Sequence, residues 1–295
     1  MKQCIKKSGN ISIIIILSLL LIICLSLLGW QTFSKVPITK KLPPETKIAS
    51  DSALAKDLAE AKKKAEEEAK KKEEERQFMA TYGPCYWLPI LMYHHVNNQS
   101  GWLYVSPETF ASQMDYLIQK GYQTITLSDA VNFLNSGQFP GKVVVLTFDD
   151  GYRDFFDQAY PILRQRNLKA TVFLITQLME GADYLTWQQA REMAGSGLIT
   201  LGDHTLDHKS LSSLSADQIK NEVVNSKSIL ESQLGMSVNV FCYPYGGYNQ
   251  ATVNSLSENG FIAAVTTQSG LNCAKLPLTL RRVRVGGAQL SSYGL

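Results

Sequence analysis

The feature that most constrains this 295-residue chain is an alternation of short apolar, β-branched runs with helix-like segments over residues 84–295. The runs that resemble buried strands are 90–95, 143–148, 171–175, 198–202, 238–243, 261–266 and 280–285. Strands that alternate with helices are typical of a largely parallel sheet. The pattern therefore predicts one α/β domain over 84–295, arranged as a barrel of about seven strands rather than as a sandwich.

Helix start and stop signals separate the apolar runs. Ser106 precedes Pro107, which is the pattern of an N-cap followed by proline in the first turn, and Gly121 ends that helix. Ser215 and Gln218 form a capping-box pattern before another helix. These signals predict that helices connect several of the strands.

Charge is distributed unevenly along the chain. Residues 1–80 carry 15 basic and 10 acidic side chains, whereas residues 81–295 carry 14 basic and 16 acidic ones. Domains that bind nucleic acid present a basic surface to the phosphates. The α/β region lacks this excess, so its composition argues against nucleic acid as a partner.

Residues 11–30 form a 20-residue stretch without a charged side chain. At a rise of 1.5 Å per residue, such a helix spans the ~30 Å hydrocarbon core of a membrane. Three lysines in residues 1–10 favour a cytoplasmic N-terminus, so the sequence predicts a single-pass signal anchor in the cell membrane and an extracytoplasmic domain. The alternative is a cleaved signal peptide and a secreted protein, but residues 28–32 are a poor cleavage site.

A linker and a charged segment lie between this apolar stretch and the α/β region. The linker, residues 31–52, is rich in proline and lysine. Residues 53–80 contain no glycine or proline, and they pair glutamate with lysine four residues apart, but they lack a sustained apolar heptad. We therefore expect a solvated helical stalk, roughly 40 Å long, rather than a coiled coil.

Cysteine is sparse, and the five cysteines form no CxxC pair and no disulfide-framework spacing. Three of them, Cys85, Cys242 and Cys273, lie beyond the apolar stretch. The spacing allows a disulfide among these three but does not indicate one.

Polar residues of catalytic types follow several of the predicted strands. They are His94, His95, Asp149, Asp150, His204, His208 and Tyr245. Taken singly, the aspartates would also fit a helix-capping turn, and the histidines would fit surface loops. The carboxyl ends of barrel strands form one face, however, and active sites are built there. We therefore expect these side chains to meet at one rim.

One carboxylate and two imidazoles are a common open ligand set for Zn²⁺ or a similar divalent cation. Three protein ligands leave room for water and substrate, and the cation lowers the pKa of bound water toward ~7. The second aspartate then serves as general base, and a histidine serves as general acid. Adjacent strand residues face opposite sides, so only one of His94 and His95 points into the site, and the pattern does not decide which.

Three motifs together resemble the polysaccharide deacetylase family, which is carbohydrate esterase family four. They are Thr-Phe-Asp-Asp-Gly at 147–151, His-Thr-Leu-Asp-His at 204–208 and Tyr-Pro-Tyr-Gly at 243–246. The resemblance covers roughly residues 88–285. It implies a distorted (β/α) barrel and the metal-dependent removal of N-acetyl groups, less often O-acetyl groups, from polysaccharides.

The resemblance also implies roles for single residues. Asp149 corresponds to the catalytic base, and Asp150, His204 and His208 correspond to the metal ligands. The backbone N–H of Tyr245 corresponds to a donor that stabilises the oxyanion. The implied cofactor is a divalent cation, with Zn²⁺ preferred and Co²⁺, Ni²⁺ or Fe²⁺ as alternatives.

The sequence departs from the common family pattern at two points. Cys242 stands where most members have the arginine that orients the base, and no histidine follows His208 to act as the acid. Both departures resemble a permuted subgroup, the poly-β-1,6-N-acetylglucosamine deacetylases of biofilm systems, in which a Tyr-His pair near the start of the domain supplies the acid. Tyr93 and His94 match that pair, which selects His94, and Arg282 is a candidate replacement for the missing arginine.

The leading hypothesis is a membrane-anchored, metal-dependent N-deacetylase that acts on extracellular poly-β-1,6-N-acetylglucosamine. Peptidoglycan glycan strands are the alternative substrate, and acetylxylan is a weaker one. A hypothesis of a different class is a non-catalytic protein that binds wall glycan. That hypothesis predicts a degraded ligand set, whereas every expected ligand is present in this sequence.

Overall fold

The computed structural model describes residues 51–295. The predicted anchor at 11–30 and all but the last two residues of the predicted linker at 31–52 lie outside the described residues. Over 51–295, no helix combines the length and the apolar character needed to cross a membrane. The chain divides after Lys64 into two units, and the first is described only from residue 51 onward.

A 32-residue helix, α1 (Asp51–Tyr82), covers the charged segment. Its side chains from residue 58 onward are almost all exposed. Ion pairs join residues one turn apart, with Lys72 3.3 Å from Glu68 and Lys70 3.8 Å from Glu74. Local pairs of this kind stabilise a polar helix that buries little surface. The role of this helix as a stalk stays a prediction.

Short strands and helices alternate after α1. The strands of the described residues are β1 (Cys85–Tyr86), β2 (Ile90–Tyr93), β3 (His95–Val96), β4 (Tyr104–Val105), β5 (Gln123–Thr124), β6 (Val143–Phe148), β7 (Ala170–Leu174), β8 (Ile199–Asp203), β9 (Val240–Cys242), β10 (Ala263–Val265), β11 (Asn272–Cys273) and β12 (Val283–Arg284). The helices are α2 (Pro107–Gln119), α3 (Leu127–Ser136), α4 (Tyr160–Gln165), α5 (Trp187–Gly195), α6 (Ala216–Lys220), α7 (Ser226–Leu234) and α8 (Gln250–Glu258). A π-helical turn precedes α4 and another joins α6 to α7.

Seven strands form one parallel sheet in the order β10–β9–β8–β7–β6–β2–β12, and β5 pairs with the start of β6. The two edges of this sheet come together at one segment. Leu280 pairs with Val265 of β10, and Val283 of β12, three residues later, pairs with Leu91 of β2. The sheet is therefore curled into a half-barrel. The α/β class and the seven parallel strands agree with the sequence prediction, whereas the predicted barrel is a half-barrel, since its edge strands β10 and β12 do not pair with each other.

Alternate residues of the central strands pack on the two faces of the curled sheet. On β6, Val144 and Leu146 join the cluster formed with the surrounding helices, whereas Val143 and Val145 join an interior cluster. The interior cluster also takes side chains from β2, β7, β9 and β10. Because both faces are covered, the residues that follow the strands are the ones that line the rim.

The predicted capping signals are confirmed. The Ser106 side chain accepts a hydrogen bond from the N–H of Thr109 at the start of α2, over 3.1 Å. Ser215 and Gln218 form the capping box of α6. Gly235, with φ 67°, ends α7. The π-helical turn between α6 and α7 is a feature that these signals did not indicate.

Cys85 and Cys273 form a disulfide between β1 and β11, which pair antiparallel. The bond joins residues 188 positions apart and so ties the start of the α/β domain to its last strands. Cys242 is free and buried. The tertiary structure thus decides among the pairings that the sequence left open.

Candidate active site

Several strands of the curled sheet deliver polar residues to one rim. The residues are His94 after β2, Asp149 and Asp150 after β6, His204 after β8 and Tyr245 after β9. Because the strands are parallel, their carboxyl ends lie at the same end of the sheet. The structure therefore brings together the strand-end residues that the sequence singled out, with the exception of His95.

Asp150, His204 and His208 form a compact group at this rim. Oδ1 of Asp150 lies 3.2 Å from Nε2 of His204 and 3.3 Å from Nε2 of His208. This oxygen is buried and has no hydrogen-bond partner in the described part of the chain. A buried carboxylate oxygen that faces two imidazole nitrogens suits a divalent cation, so the group fits a metal ion.

The electrostatic surroundings keep Asp150 in its charged form. Burial by itself would raise the pKa of this carboxyl group, but the imidazoles of His204 and His208 outweigh burial and hold the pKa below its usual value. A carboxylate that is already ionised at neutral pH can bind a cation without first losing a proton.

Left-handed backbone conformations aim these side chains. Asp150 has φ 75°, Thr205 has φ 68° and His208 has φ 64°. Gly151 follows with φ 73°, and a Cβ atom at this glycine would lie 2.9 Å from Cδ2 of Leu174, so the turn after β6 requires glycine. Strained positions of this kind persist where the surrounding structure holds them, and they cluster at functional sites.

His204 is oriented by a hydrogen bond on the far side of its ring. Nδ1 of His204 donates to the backbone carbonyl of Cys242 over 2.7 Å. A carbonyl oxygen only accepts, so Nδ1 carries a proton, and Nε2 is the ring nitrogen that faces Asp150 and can bind a cation once it is deprotonated. Metal-binding histidines typically donate a hydrogen bond of this type from the ring nitrogen that does not face the metal.

The segment that carries His204 and His208 is anchored by the buried carboxyl group of Asp203. Its Oδ1 accepts from the N–H of Thr205 over 2.8 Å and from the hydroxyl of Ser226 over 2.8 Å. Burial raises the pKa of Asp203 to about 7, against the opposing effect of these two hydrogen bonds. Asp203 therefore holds the loop without itself reaching the solvent.

Asp149, the predicted base, is 4% exposed and is paired with Arg282. Nη1 and Nη2 of Arg282 each donate to one oxygen of this carboxylate over 2.7 Å. The guanidinium also donates to the Thr266 carbonyl and the Thr147 hydroxyl, and Nη2 lies 3.3 Å from the sulfur of Cys242. Arg282, the residue before β12, thus reaches the predicted base and lies directly beside Cys242.

The ion pair determines the protonation state of the predicted base. Burial would raise the pKa of Asp149, but the charge and the hydrogen bonds of Arg282 outweigh burial and lower the pKa. Asp149 is therefore ionised at neutral pH, which is the state that a general base requires.

A second group of candidate ligands consists of Asp149, His204 and Cys242. Both carboxylate oxygens of Asp149 are already engaged by Arg282, and burial raises the pKa of the Cys242 thiol. A neutral thiol and an occupied carboxylate are poor ligands for a cation. The group around Asp150 is therefore the better cation site.

The two adjacent histidines face different surroundings. Nε2 of His94 lies 3.8 Å from Oδ2 of Asp149, whereas Nδ1 of His95 lies 2.8 Å from Oδ2 of Asp154. Burial lowers the pKa of His94, and the charge of Asp149 offsets part of that effect. The histidine beside the predicted base is therefore His94, the one that the resemblance selected.

Tyr245 lies in a tight turn after β9, with φ 59°. Its ring is 71% exposed, and the ring centroid lies 4.7 Å from that of His208. A Cβ atom at the next residue, Gly246, would lie 2.2 Å from Oγ1 of Thr267, so this turn requires glycine. The turn brings Tyr245 beside a predicted metal ligand, and its role as an oxyanion donor stays a prediction.

Two aromatic residues at this rim were not predicted from the sequence motifs. Trp102 is 65% exposed, its ring lies 6.3 Å from that of His94, and the Arg284 guanidinium covers it at 4.4 Å. Burial and the charge of Asp150 raise the pKa of Tyr152. The position of Tyr152, directly after the Asp-Asp-Gly turn, was a usable signal. No sequence signal pointed to Trp102, because only the fold brings its loop to the rim.

Comparison with known proteins identifies similar sequences. The family model described as polysaccharide deacetylase matches residues 136–264. YxkH of Bacillus subtilis (strain 168), whose name assigns it provisionally to the polysaccharide deacetylases, is 36% identical over 210 residues, or 70% of this chain and 75% of that protein. The poly-β-1,6-N-acetyl-D-glucosamine N-deacetylase of Staphylococcus epidermidis is 28% identical over 177 residues, or 56% of this chain. That match covers 61% of the Staphylococcus protein, which is less than two thirds of its length.

A solved structure has the same architecture. The Streptococcus pyogenes deacetylase PplD, in complex with acetate, aligns with a TM-score of 0.66 and 32% sequence identity. The alignment covers 71% of this chain and 99% of that chain. The likeness therefore extends over nearly the whole length of the solved protein.

Proposed function

This chain belongs to the polysaccharide deacetylase family and is thus a deacetylase hydrolase, and we propose that it removes N-acetyl groups from an extracellular N-acetylglucosamine polymer with the help of a divalent cation. The observation that carries the proposal is the juxtaposition of two groups at one rim. Asp149 is held ionised by Arg282, next to the cluster of Asp150, His204 and His208.

The cluster around Asp150 would hold the cation. An oxygen and two imidazole nitrogens suit Zn²⁺, and Co²⁺, Ni²⁺ and Fe²⁺ are the alternatives. The unpartnered Oδ1 of Asp150 and the Nδ1 hydrogen bond of His204 support this assignment. When bound, the cation lowers the pKa of water and polarises a carbonyl group.

The remaining residues move protons and stabilise charge. Asp149 accepts a proton from the water whose oxygen attacks the acetamide carbonyl carbon, and Arg282 fixes the position of the carboxylate. His94 donates a proton to the nitrogen as the C–N bond breaks, so the products are acetate and a free amine. The N–H of Tyr245 donates to the carbonyl oxygen while that oxygen carries negative charge.

We propose poly-β-1,6-N-acetylglucosamine as the substrate. The name of the Staphylococcus epidermidis relative supports this choice. The position of His94 beside Asp149 supports it too, because the family resemblance connects an acid near the start of the domain with this substrate class. Peptidoglycan strands stay the alternative substrate.

We also propose that the α/β domain lies outside the cytoplasm, attached through residues 11–30. The disulfide between Cys85 and Cys273 supports this location, since disulfides persist in oxidising compartments and are rare in the cytosol. Labelling with a thiol reagent that does not cross membranes, before and after reduction of intact cells, tests the location. Reaction of Cys85 and Cys273 only after the cells are lysed would contradict it.

The function is tested by acetate release from the purified full chain. The substrates are β-1,6-linked and β-1,4-linked N-acetylglucosamine oligomers of equal length. We expect a higher kcat/KM on the β-1,6 series, loss of release with a chelator and recovery with Zn²⁺. Faster turnover of the β-1,4 series would favour peptidoglycan as the substrate. Glycan binding without acetate release would favour the non-catalytic hypothesis.

A further inference from the structure

A cavity with a volume of about 430 Å³ lies on the His95 side of the rim. We call it the tyrosine pocket; its walls include Tyr104, Tyr152, Tyr184, His95 and Asp154. We propose that this pocket binds the sugar unit next to the one being deacetylated, and that it prefers a unit whose nitrogen is already a free, protonated amine. The inference rests on the proposed function, because it concerns the same polymer.

The aromatic wall of the pocket suits a sugar ring. The ring of His95 lies 4.5 Å from that of Tyr104 and 3.6 Å from that of Tyr152, and Tyr152 lies 5.3 Å from Tyr184. These rings stack on one another and form a single aromatic column along the wall of the pocket. Ligand sites combine apolar surface with a few polar groups in this way, and the volume lies in the range of small-molecule pockets.

One carboxylate in the wall has an unused acceptor. Oδ2 of Asp154 accepts from Nδ1 of His95 over 2.8 Å and from Nδ2 of Asn97 over 2.5 Å. Oδ1 of the same side chain is buried and has no hydrogen-bond partner among residues 51–295. Buried polar atoms are rarely left without a partner, so the neighbours of this carboxylate compensate its negative charge only in part.

The charge of the pocket selects the kind of donor. Asp154, Asp157 and Asp183 line it, against the single guanidinium of Arg153. That guanidinium donates to two backbone carbonyls of the wall, and it makes no ion pair with any of the three acids. The acetamide of the substrate is neutral, whereas the amine that deacetylation produces is cationic. An acidic pocket therefore favours the product form of the sugar.

The chain connects the tyrosine pocket directly to the reacting centre. Tyr152 follows the turn at Asp150 and Gly151, and His95 follows His94. His94 and Asp150 thus lie at the reacting centre, while His95 and Tyr152, one and two residues later, lie in the pocket wall. This close spacing suits neighbouring units of one polymer chain. A deacetylated unit in the pocket would then bring the next N-acetyl group to the site.

The test uses the full chain with substitutions at the two exposed acids, Asp157→Asn and Asp183→Asn together. The substrates are β-1,6 oligomers of equal length that are either fully acetylated or carry one free amine. We expect the wild type to show a higher kcat/KM on the amine-containing oligomer. The double variant should lower this preference about three- to tenfold, mainly through KM, and added salt should weaken the wild-type preference. An equal preference in wild type and double variant would overturn the proposal.

Glu258→Gln provides a matched control, because Glu258 is an exposed acid on α8 outside the pocket lining. This substitution should change neither kcat/KM nor the preference for the amine-containing oligomer. A second measurement separates this inference from the proposed function. Calorimetry with a fully deacetylated glucosamine oligomer needs no catalysis, and Kd should rise about three- to tenfold in the double variant. An unchanged Kd would overturn the proposal for the pocket even if the enzyme releases acetate. Absence of acetate release would overturn only the proposed function.

Discussion

The two halves of the candidate site are held together in different ways. The metal half (Asp150, His204 and His208) comes from two short motifs, and strained turns at the strand ends aim its side chains. The base half (Asp149 and Arg282) joins residues 133 positions apart in a fully buried ion pair. The metal half therefore depends on local backbone conformation, whereas the base half depends on the curl of the sheet around its interior.

This difference predicts different consequences of substitution. Removing one partner of a buried ion pair leaves the other charge without compensation and costs about 3–5 kcal/mol of stability. Removing a metal ligand from a partly exposed turn mainly weakens cation binding. Substitutions in the base half should therefore lower stability and activity together, and those in the metal half should lower activity and metal content.

The largest effect is expected for Asp149→Asn. It removes the base, so kcat should fall about 10²–10⁴-fold. It also leaves Arg282 buried without a countercharge, so the free energy of unfolding should fall by up to about 3–5 kcal/mol. Acetate release, urea denaturation and metal analysis measure the three quantities, and the metal content should stay that of the wild type. Near-normal turnover in this variant would show that another group takes the proton.

The next effect is expected for His208→Asn, in which asparagine tolerates the left-handed backbone of the position. Cation affinity should fall at least about 100-fold, because even the loss of a residue that only hydrogen-bonds to a metal ligand costs about 10–100-fold. The stability of the chelator-treated protein should change by less than about 1 kcal/mol. Metal titration and urea denaturation check these values. If this variant unfolds as readily as the base-half variant, the comparison between the halves fails.

A smaller loss of turnover is expected for Arg282→Lys than for Arg282→Met. Lysine keeps the charge but not the two parallel hydrogen bonds, so kcat should fall about 10-fold, and methionine should cost closer to 100-fold. In the methionine variant the main influence that opposes burial is lost, so the pKa of Asp149 rises. The loss of rate on acidification should then begin at a higher pH than in the wild type. Superimposable pH–rate profiles would remove Arg282 from its positioning role.

The smallest effect on turnover, less than about threefold, is expected for Asp203→Asn, since the amide can keep the hydrogen bonds to Thr205 and Ser226. The free energy of unfolding of the wild type should instead depend on pH. The folded state holds the Asp203 proton up to about pH 7, whereas the unfolded chain releases it near pH ~3.9. Within that window the unfolded chain binds fewer protons, so wild-type stability falls as the pH rises.

The asparagine variant lacks this titration. Relative to the wild type it should gain on the order of 1–4 kcal/mol between pH 4 and pH 8, and the two proteins should be equally stable below about pH 4. Urea denaturation of the metal-free proteins at the two pH values measures the difference. A constant difference at both values would mean that Asp203 is ionised in the folded state.

Local features of the fold were readable from the sequence. The capping residues Ser106 and Ser215 begin helices where predicted, and the apolar runs became the strands of the curled sheet. The histidine and aspartate motifs at the strand ends were readable for the same reason. In each case the signal and the structure it produces lie within a few residues of each other.

Long-range features were not readable in this way. The pairing of Cys85 with Cys273 and the enclosure of Arg282 depend on contacts between residues far apart in the chain. Arg282 stood out as a charge in an apolar, strand-like run and as a candidate replacement for the missing arginine, but nothing near it in the sequence showed that it reaches Asp149. The tyrosine pocket likewise joins segments around His95, Asp154 and Tyr184 that share no motif.

By itself, the sequence determined which residue types stand at the carboxyl ends of parallel strands, and therefore which chemistry the rim offers. Only the tertiary structure decided that His94 faces Asp149 while His95 turns to Asp154, and that Arg282 pairs with the base beside Cys242. The physical reason is that strand periodicity determines the alternation of side chains, but the curl of the sheet determines which distant side chains meet.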